Sequence, residues 1–436
     1  MNTFQEQDSG ITPLPELDLF YTPPTETNIQ KKQWVQYRPT SSISEGSPLE
    51  FIVPGVGSQY LDLKHTYLTL HMRSLKEDGS LCATAEKLAP VNIPLHSVFN
   101  QAELFLNQTL VSSVGVNYAY KSMIDTLLNA SSNDAAKSRL ECEGFYKDSA
   151  GFMDEDDPLE GSNAGLTRRF ARQPSSEVGE YRGPLHLDLV DQDRLILNGV
   201  ETKLVLWPSK ESFKFMSVAA EDAKYKMEIV EAILHVCKVT INPSVTAAHI
   251  AALELSPALY PYEKSQIKTF EVSSGKSSFD MENVFLGEIP RLLILAMVDS
   301  DAYRGSYLKN PYNFKNNDLN WLSVKLDDEN VPFQAVKPNF SAASQKFLHS
   351  YMNVLDSVSN YNSAWIIDRS SYSKGYTFFV YELLPRDNAQ HLPLIKRGNL
   401  KIQATFNSNL AENTTVICYG KFPSVMKIDS SRDIIM

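Results

Sequence analysis

From Phe51 onward, apolar and polar residues alternate in short runs broken by Gly, Pro, Asn and Asp. In Tyr67–Leu75 (YLTLHMRSL), Leu68, Leu70 and Met72 alternate with Thr69, His71 and Arg73, the period-two mark of a half-buried strand. Ala102–Ser113 (AELFLNQTLVSS) reads as two strands around an Asn107-Gln108 hairpin turn. The period then changes. Tyr120, Met123, Ile124, Leu127 and Leu128 recur at helical spacing and predict one apolar helix face. Residues 145–182, which carry DEDDP and TRRFAR, read as a long polar surface loop projecting from one end of the first domain. Strand alternation returns at Leu185, Leu187 and Leu189, and again at Val200, Thr202, Leu204 and Leu206.

After a hinge over Pro208–Lys226 the order of elements repeats. Tyr225–Ile241 supplies strand, and a short helix follows Pro243. Ile289–Asp299 (IPRLLILAMVD) carries the continuous apolar run Leu292–Val298, as a strand buried on both faces would. Trp321–Phe333 is a hairpin with Asp327, Asp328, Glu329 and Asn330 at its tip, and a helix places Phe347, Leu348, Tyr351 and Leu355 on one face. Two stretches also match each other. Gly183–Leu206 and Gly375–Phe406 each begin on Gly, run into a strand, pass a charged turn, meet a second Gly and close on an alternating strand. The chain therefore reads as two copies of one all-β domain. Many short strands without βαβ alternation fold as sandwiches or jelly rolls. The expected fold is two tandem eight-stranded jelly rolls (a double jelly roll) with short helical insertions. The expected boundaries are an extended arm at 1–45, the first roll at 46–218, the second at 219–428 and a tail at 429–436.

The arm is polar and Pro-rich, without a sustained period, yet it carries Leu14 and an apolar group of Leu17, Leu19, Phe20, Tyr21 and Trp34. We take Leu17, Leu19, Phe20, Tyr21 and Trp34 as candidate assembly residues. The whole chain has 436 residues, room for two or three domains of ~100–200 residues. Its net charge of −11 argues against coating a phosphate backbone, which needs clustered Lys and Arg. No direct nucleic-acid binding is expected. Cys82, Cys142, Cys237 and Cys418 form no CxxC pair and suit reduced thiols in the cytosol or nucleus. Sequons at Asn107, Asn129, Asn339 and Asn413 would matter only in the secretory pathway, and no secretory leader is expected at the N-terminus. The longest apolar run, Leu292–Val298, falls well short of the ~20 residues of a membrane helix.

Five segments carry a resemblance: Asn92–Ser113, Asn117–Asn129, Ala258–Val272, Gly287–Phe314, and Gly375–Asp387 with Arg397–Phe406. In this order and spacing they resemble the double-jelly-roll (hexon-like) major capsid proteins of Polinton/Maverick elements and adintoviruses, from about Phe51 to Asp429. The resemblance implies a homotrimer whose six rolls make a pseudo-hexagonal capsomer that tiles an icosahedral shell. It also implies a place in the virion, contact with a minor capsid or penton protein, and assembly in the host cytoplasm or nucleus. Other readings are a penton (vertex) or spike protein, for which one roll suffices, and a carbohydrate-binding β-sandwich.

No constellation for chemistry emerges from the sequence, so neither an enzyme nor a cofactor is expected. Gly275-Lys276-Ser277 is a P-loop fragment, but the position of the first required glycine is Phe270. Asp154, Glu155, Asp156 and Asp157 lack the Gly and closing Glu of a calcium loop and read as a solvated acidic stretch. The eight histidines offer no HExxH and no i, i+4 pair, so no metal site is expected, and His71 and His235 read as strand residues.

Overall fold

The computed structural model describes residues 17, 19–20, 25–43, 46–55, 57–83, 86–113, 115–130, 132–218, 224–331, 334–357, 365–384 and 393–436. Among these, two units with the same strand order follow one another.

In the first unit, eight strands run in chain order as Ile29–Tyr37, Leu49–Val53, Tyr60–Lys76, Phe99–Leu106, Thr109–Ser113, Gly179–Pro184, Thr202–Pro208 and Tyr225–Ile241. One sheet takes the first, eighth, third and sixth strands, and the facing sheet takes the second, seventh, fourth and fifth. The second unit uses Ala258–Val272, Ser278–Met281, Leu292–Asp299, Leu319–Leu326, Glu329–Asn330, Phe379–Glu382, Leu400–Phe406 and Thr414–Ile428 in the same two orders. The strand pairs registered within these sheets are antiparallel. This is a double jelly roll, and the repeat in the sequence is a duplicated topology. A short extra strand, Ile434–Ile435, pairs with the end of Thr414–Ile428.

Local chemistry explains the shared features. The fourth and fifth strands of each roll are joined by a two-residue turn with both residues at positive φ: Asn107 (44°) and Gln108 (68°), then Asp327 (48°) and Asp328 (68°). Two left-handed residues match the strand twist, and Asn and Asp tolerate that region well. Between the fifth and sixth strands each roll inserts helices: Tyr118–Asn129, Asp134–Cys142 and Ala164–Arg172 in the first, Leu348–Ser357 and Arg369–Tyr372 in the second.

Three expectations need correction. Ile29–Tyr37 lies within the expected arm but pairs along its length with Tyr225–Ile241. It is an edge strand with Lys31 and Lys32 facing water, which is why its pattern resembles a linker. Tyr225–Ile241, expected to open the second roll, instead closes the first, hydrogen-bonded between Ile29–Tyr37 and Tyr60–Lys76. The helix Pro243–Leu255 and not 208–226 is the connection between the rolls. The third correction is 145–182. It is no projecting loop: Phe145, Asp148, Met153, Asn163, Leu166, Arg169 and Phe170 are all buried. The helix Ala164–Arg172 is capped by Asn163, whose side chain accepts from the backbone N–H groups of Gly165 and Leu166.

Each roll has its own core. In the first, Leu68, Leu70 and Met72 meet Leu104, Leu106, Leu204 and Leu206. In the second, Leu293, Leu295 and Met297 meet Leu322, Val324, Leu400 and Ile402. The alternate residues of the same strand, Leu292, Ile294, Ala296 and Val298, face the other way and join Met123, Ile124 and Leu127 of the first roll's helix. That is the physical reason Leu292–Val298 is apolar throughout: one face fills its own roll and the other fills the seam.

Candidate assembly surfaces and the buried seam

The seam is polar as well as apolar. From the first roll, the helix Tyr118–Asn129 contributes Lys121 and Asp125, and the segment after Gly179–Pro184 contributes Asp188. From the second, Ser265 stands on the first strand and Tyr419 and Lys421 on the last. Lys121 Nζ lies 2.7 Å from Asp125 Oδ2 and 3.5 Å from Asp188 Oδ1. Lys421 Nζ lies 3.0 Å from Asp125 Oδ1, and the Tyr419 hydroxyl donates to Asp125 Oδ1 at 2.9 Å. Asp188 accepts from the Ser265 backbone N–H at 2.8 Å and from its hydroxyl at 2.5 Å. Burial by itself would raise the Asp125 carboxyl, but Lys121 and Lys421 outweigh it and hold it well below the usual carboxylate range. Burial would likewise depress Lys121, yet Asp125, Tyr419 and Asp188 keep it above its ordinary value. Each of these charges is therefore paired within the seam.

A second knot lies nearby. Arg169, fully buried, lies 2.9 Å from Asp148 Oδ1 and donates through Nε to the Pro90 carbonyl. Asp148 Oδ2 accepts from Asn310 of the second roll at 3.2 Å, and the Tyr376 hydroxyl donates to the Asp148 carbonyl at 2.9 Å. Asp154, Glu155 and Asp157 of the acidic stretch likewise accept from protein donors. Asp154 accepts from the Asn313 side chain at 2.6 Å and the Asn310 backbone at 3.1 Å, and Asp157 accepts from the N–H groups of Leu159 and Glu160 at 2.9 and 3.1 Å. The two glycines that open the repeated stretches serve this packing. A Cβ on Gly375 would stand 2.1 Å from Met153 Sδ, and one on Gly183 would stand 2.4 Å from Glu143 Cγ. Ser273–Ser277 connects two strands through a turn with Gly275 at φ 80°, and a strand rather than a helix follows it.

The candidate assembly residues divide. Leu17, Leu19 and Phe20 are 69%, 76% and 99% exposed. Tyr21 lies outside the described residues. Trp34 does not belong with them: it sits in the edge strand, half exposed, with Nε1 donating to the His65 carbonyl at 3.0 Å. Where the arm enters the fold, a groove of about 700 Å³ opens between Ile29, Leu195, Leu197, Val245, Leu253 and Leu259. Beside it the helix Pro243–Leu255 leaves Ile250 and Leu255 exposed. On Leu348–Ser357 the buried side is Phe347, Ser350 and Val354; Leu348, expected on that face, is half exposed.

One cluster stands apart from every residue singled out from the sequence. His96, Glu143 and His186 come together beside the seam from three separate segments. His96 Nε2 lies 3.3 Å from Glu143 Oε2, and His186 Nε2 lies 3.9 Å from the same oxygen. Burial pushes the His96 imidazole down to about 4. Burial would raise Glu143, but the two imidazoles outweigh it and hold the carboxyl at about 2. The available signal is a repeated tripeptide, Pro94-Leu95-His96 and Pro184-Leu185-His186.

Solved structures that share this arrangement include viral proteins. A chain of the Sputnik virophage superposes over 98% of this chain and 92% of its own, with a TM-score of 0.64 at 13% identity. The fold is the double jelly roll of viral major capsid proteins. The mavirus major capsid protein shares this double jelly roll over 100% of this chain and 96% of its own (TM-score 0.55, 12% identity), and the Faustovirus major capsid protein over 93% and 92% (0.58, 7%). By sequence, an uncharacterized protein of Caenorhabditis elegans is 25% identical over 428 residues, covering 95% of this chain and 99% of its own length. No family profile matches the chain. No described helix is long and apolar enough to cross a membrane.

Proposed function

We propose that this chain is a major capsid subunit, a structural shell protein without catalytic activity. Three copies close a ring, six rolls make a pseudo-hexagonal capsomer, and capsomers tile an icosahedral shell inside a virion. The observation that carries the reading is the seam. Two rolls of identical topology are locked side by side by the Asp125 and Asp148 knots, so each chain presents two near-equivalent units at a fixed angle, as a three-chain ring with sixfold appearance requires. A vertex or spike protein needs no such duplication. Neighbours named as major capsid proteins support the same reading through fold. The finer placement, with Polinton/Maverick elements and adintoviruses, rests on the five sequence segments, and a minor capsid or penton partner follows from that placement.

The arm fits a clamp. Among the described residues nothing covers Leu17, Leu19 and Phe20, and the groove beside Leu253 and Leu259 is largely apolar and open. In this reading a neighbouring copy's arm fills the groove. A truncation to test it must begin at Thr25, because Ile29–Tyr37 is a structural strand. The shortened protein should form capsomers but not closed shells. Negative-stain images of the full-length protein test the reading as a whole. Hexagonal outlines with a central dimple are expected, and a field of single two-lobed particles would reject it.

A further inference from the structure

We propose that His96, Glu143 and His186 hold a divalent transition-metal ion of the zinc type, with water as fourth ligand. The three ligands come from the short helix Pro94–Ser97, the residue after the helix Asp134–Cys142, and the segment after Gly179–Pro184. A bound ion would therefore tie three separate parts of the first roll together. The ligand atoms lie within 4.8 Å of one another. A tetrahedral centre with bonds of about 2.0–2.1 Å needs ligand atoms roughly 3.3–3.5 Å apart. The pairs at 3.3 and 3.9 Å already stand near that spacing. The two imidazole rings cross at 79° with centroids 4.6 Å apart, so they converge rather than stack. Two imidazoles and a carboxylate are the donor set that zinc accepts in sites with an open position.

The second layer is in place too. His96 Nδ1 lies 3.1 Å from the buried Tyr118 hydroxyl, a contact that fixes the ring and leaves Nε2 for the ion. Gly183 makes the room, since any Cβ there would collide with Glu143. Among the described residues His186 Nε2 is buried and stands 3.9 Å from Glu143 Oε2, beyond ordinary hydrogen-bond length and close to the spacing of two atoms that share one ion. The His186 side chain is 17% exposed, which provides an access route and a place for water.

The test uses full-length protein, dialysed against chelator and titrated with Zn²⁺ by calorimetry and with Co²⁺ by absorption. One ion per chain is expected, with the intense visible bands of four-coordinate cobalt. His186→Gln, at the partly exposed position, should fold and lose at least 100-fold in affinity, and Glu143→Gln should lose tenfold or more. Chelator should lower the melting temperature of the parent protein and leave that of His186→Gln unchanged. The proposal is overturned if no stoichiometric Zn²⁺ binds at micromolar concentration. Binding that persists unchanged in both variants overturns it equally, because the ion would then sit elsewhere. The site does not depend on the shell role and can fail or stand without it.

Discussion

The hydroxyl of Tyr419 donates to the carboxylate of Asp125 at 2.9 Å, joining residues 294 apart in the chain and belonging to different jelly rolls. Removing that hydroxyl leaves Asp125 its two lysine partners, so Tyr419→Phe should cost about 1–2 kcal/mol. Asp125→Ala leaves the largely buried Lys421 without its carboxylate and Lys121 with only Asp188, at 3.5 Å, and should cost about 3–5 kcal/mol. Equilibrium denaturation of both variants checks the order. Equal small losses would mean the seam is not what joins the rolls.

Gly375 and Gly275 separate crowding from backbone strain. Both have positive φ, 103° and 80°, but a Cβ on Gly275 meets nothing within 4 Å while one on Gly375 runs into Met153. Gly275→Ala should cost about 1 kcal/mol, from backbone strain only. Gly375→Ala adds a steric clash and should cost ~1–3 kcal/mol more, with loss of seam packing. Matching melting temperatures for the two variants would contradict the close approach of Met153.

Trypsin should spare 145–182. Arg169 is fully buried, and Arg168 and Arg172 lie on a helix whose other face packs into the seam. The first cuts are expected in exposed chain outside regular structure, such as after Lys396, and mass spectrometry of early fragments decides the point. Early cleavage at Arg168 would restore the projecting loop that the sequence suggested.

Much of this architecture is legible in the amino-acid pattern. The two hairpin turns, the helix through Leu127 and the doubly buried Leu292–Asp299 all follow from local period and turn chemistry. Topology is less so. Tyr225–Ile241 pairs with Tyr60–Lys76 and Ile29–Tyr37, both far earlier in the chain, and nothing within a strand states which sheet it joins. The edge strand Ile29–Tyr37 is hidden because its lysines protect an open edge and mimic a linker. The segment 145–182 is hidden for the opposite reason: its charges look solvated, yet Asp148, Asp154 and Arg169 find partners within the fold. The His96, Glu143 and His186 cluster has no spacing rule at all, because three different segments deliver it.

Acid should weaken the first roll in two stages. Burial lowers His96 from 6.5 to about 4, so between those values the unfolded chain takes up a proton that the folded chain refuses. Stability is thus complete above pH 6.5 and declines as pH falls toward 4. Glu143, at about 2 against an ordinary 4.5, prolongs the decline below pH 4.5. Melting temperatures of chelator-treated protein should be level at neutral pH and drop steadily through this window. A flat profile from pH 7 to pH 4 would show that His96 is not buried as described.

The central claim is that two locked jelly rolls make one third of a ring. Light scattering on the purified protein across micromolar dilutions measures it directly. A stable particle of three times 49.0 kDa is expected, with an interface burying more than about 2,000 Å² and no dissociation on dilution. A mass of 49.0 kDa at every concentration would contradict it.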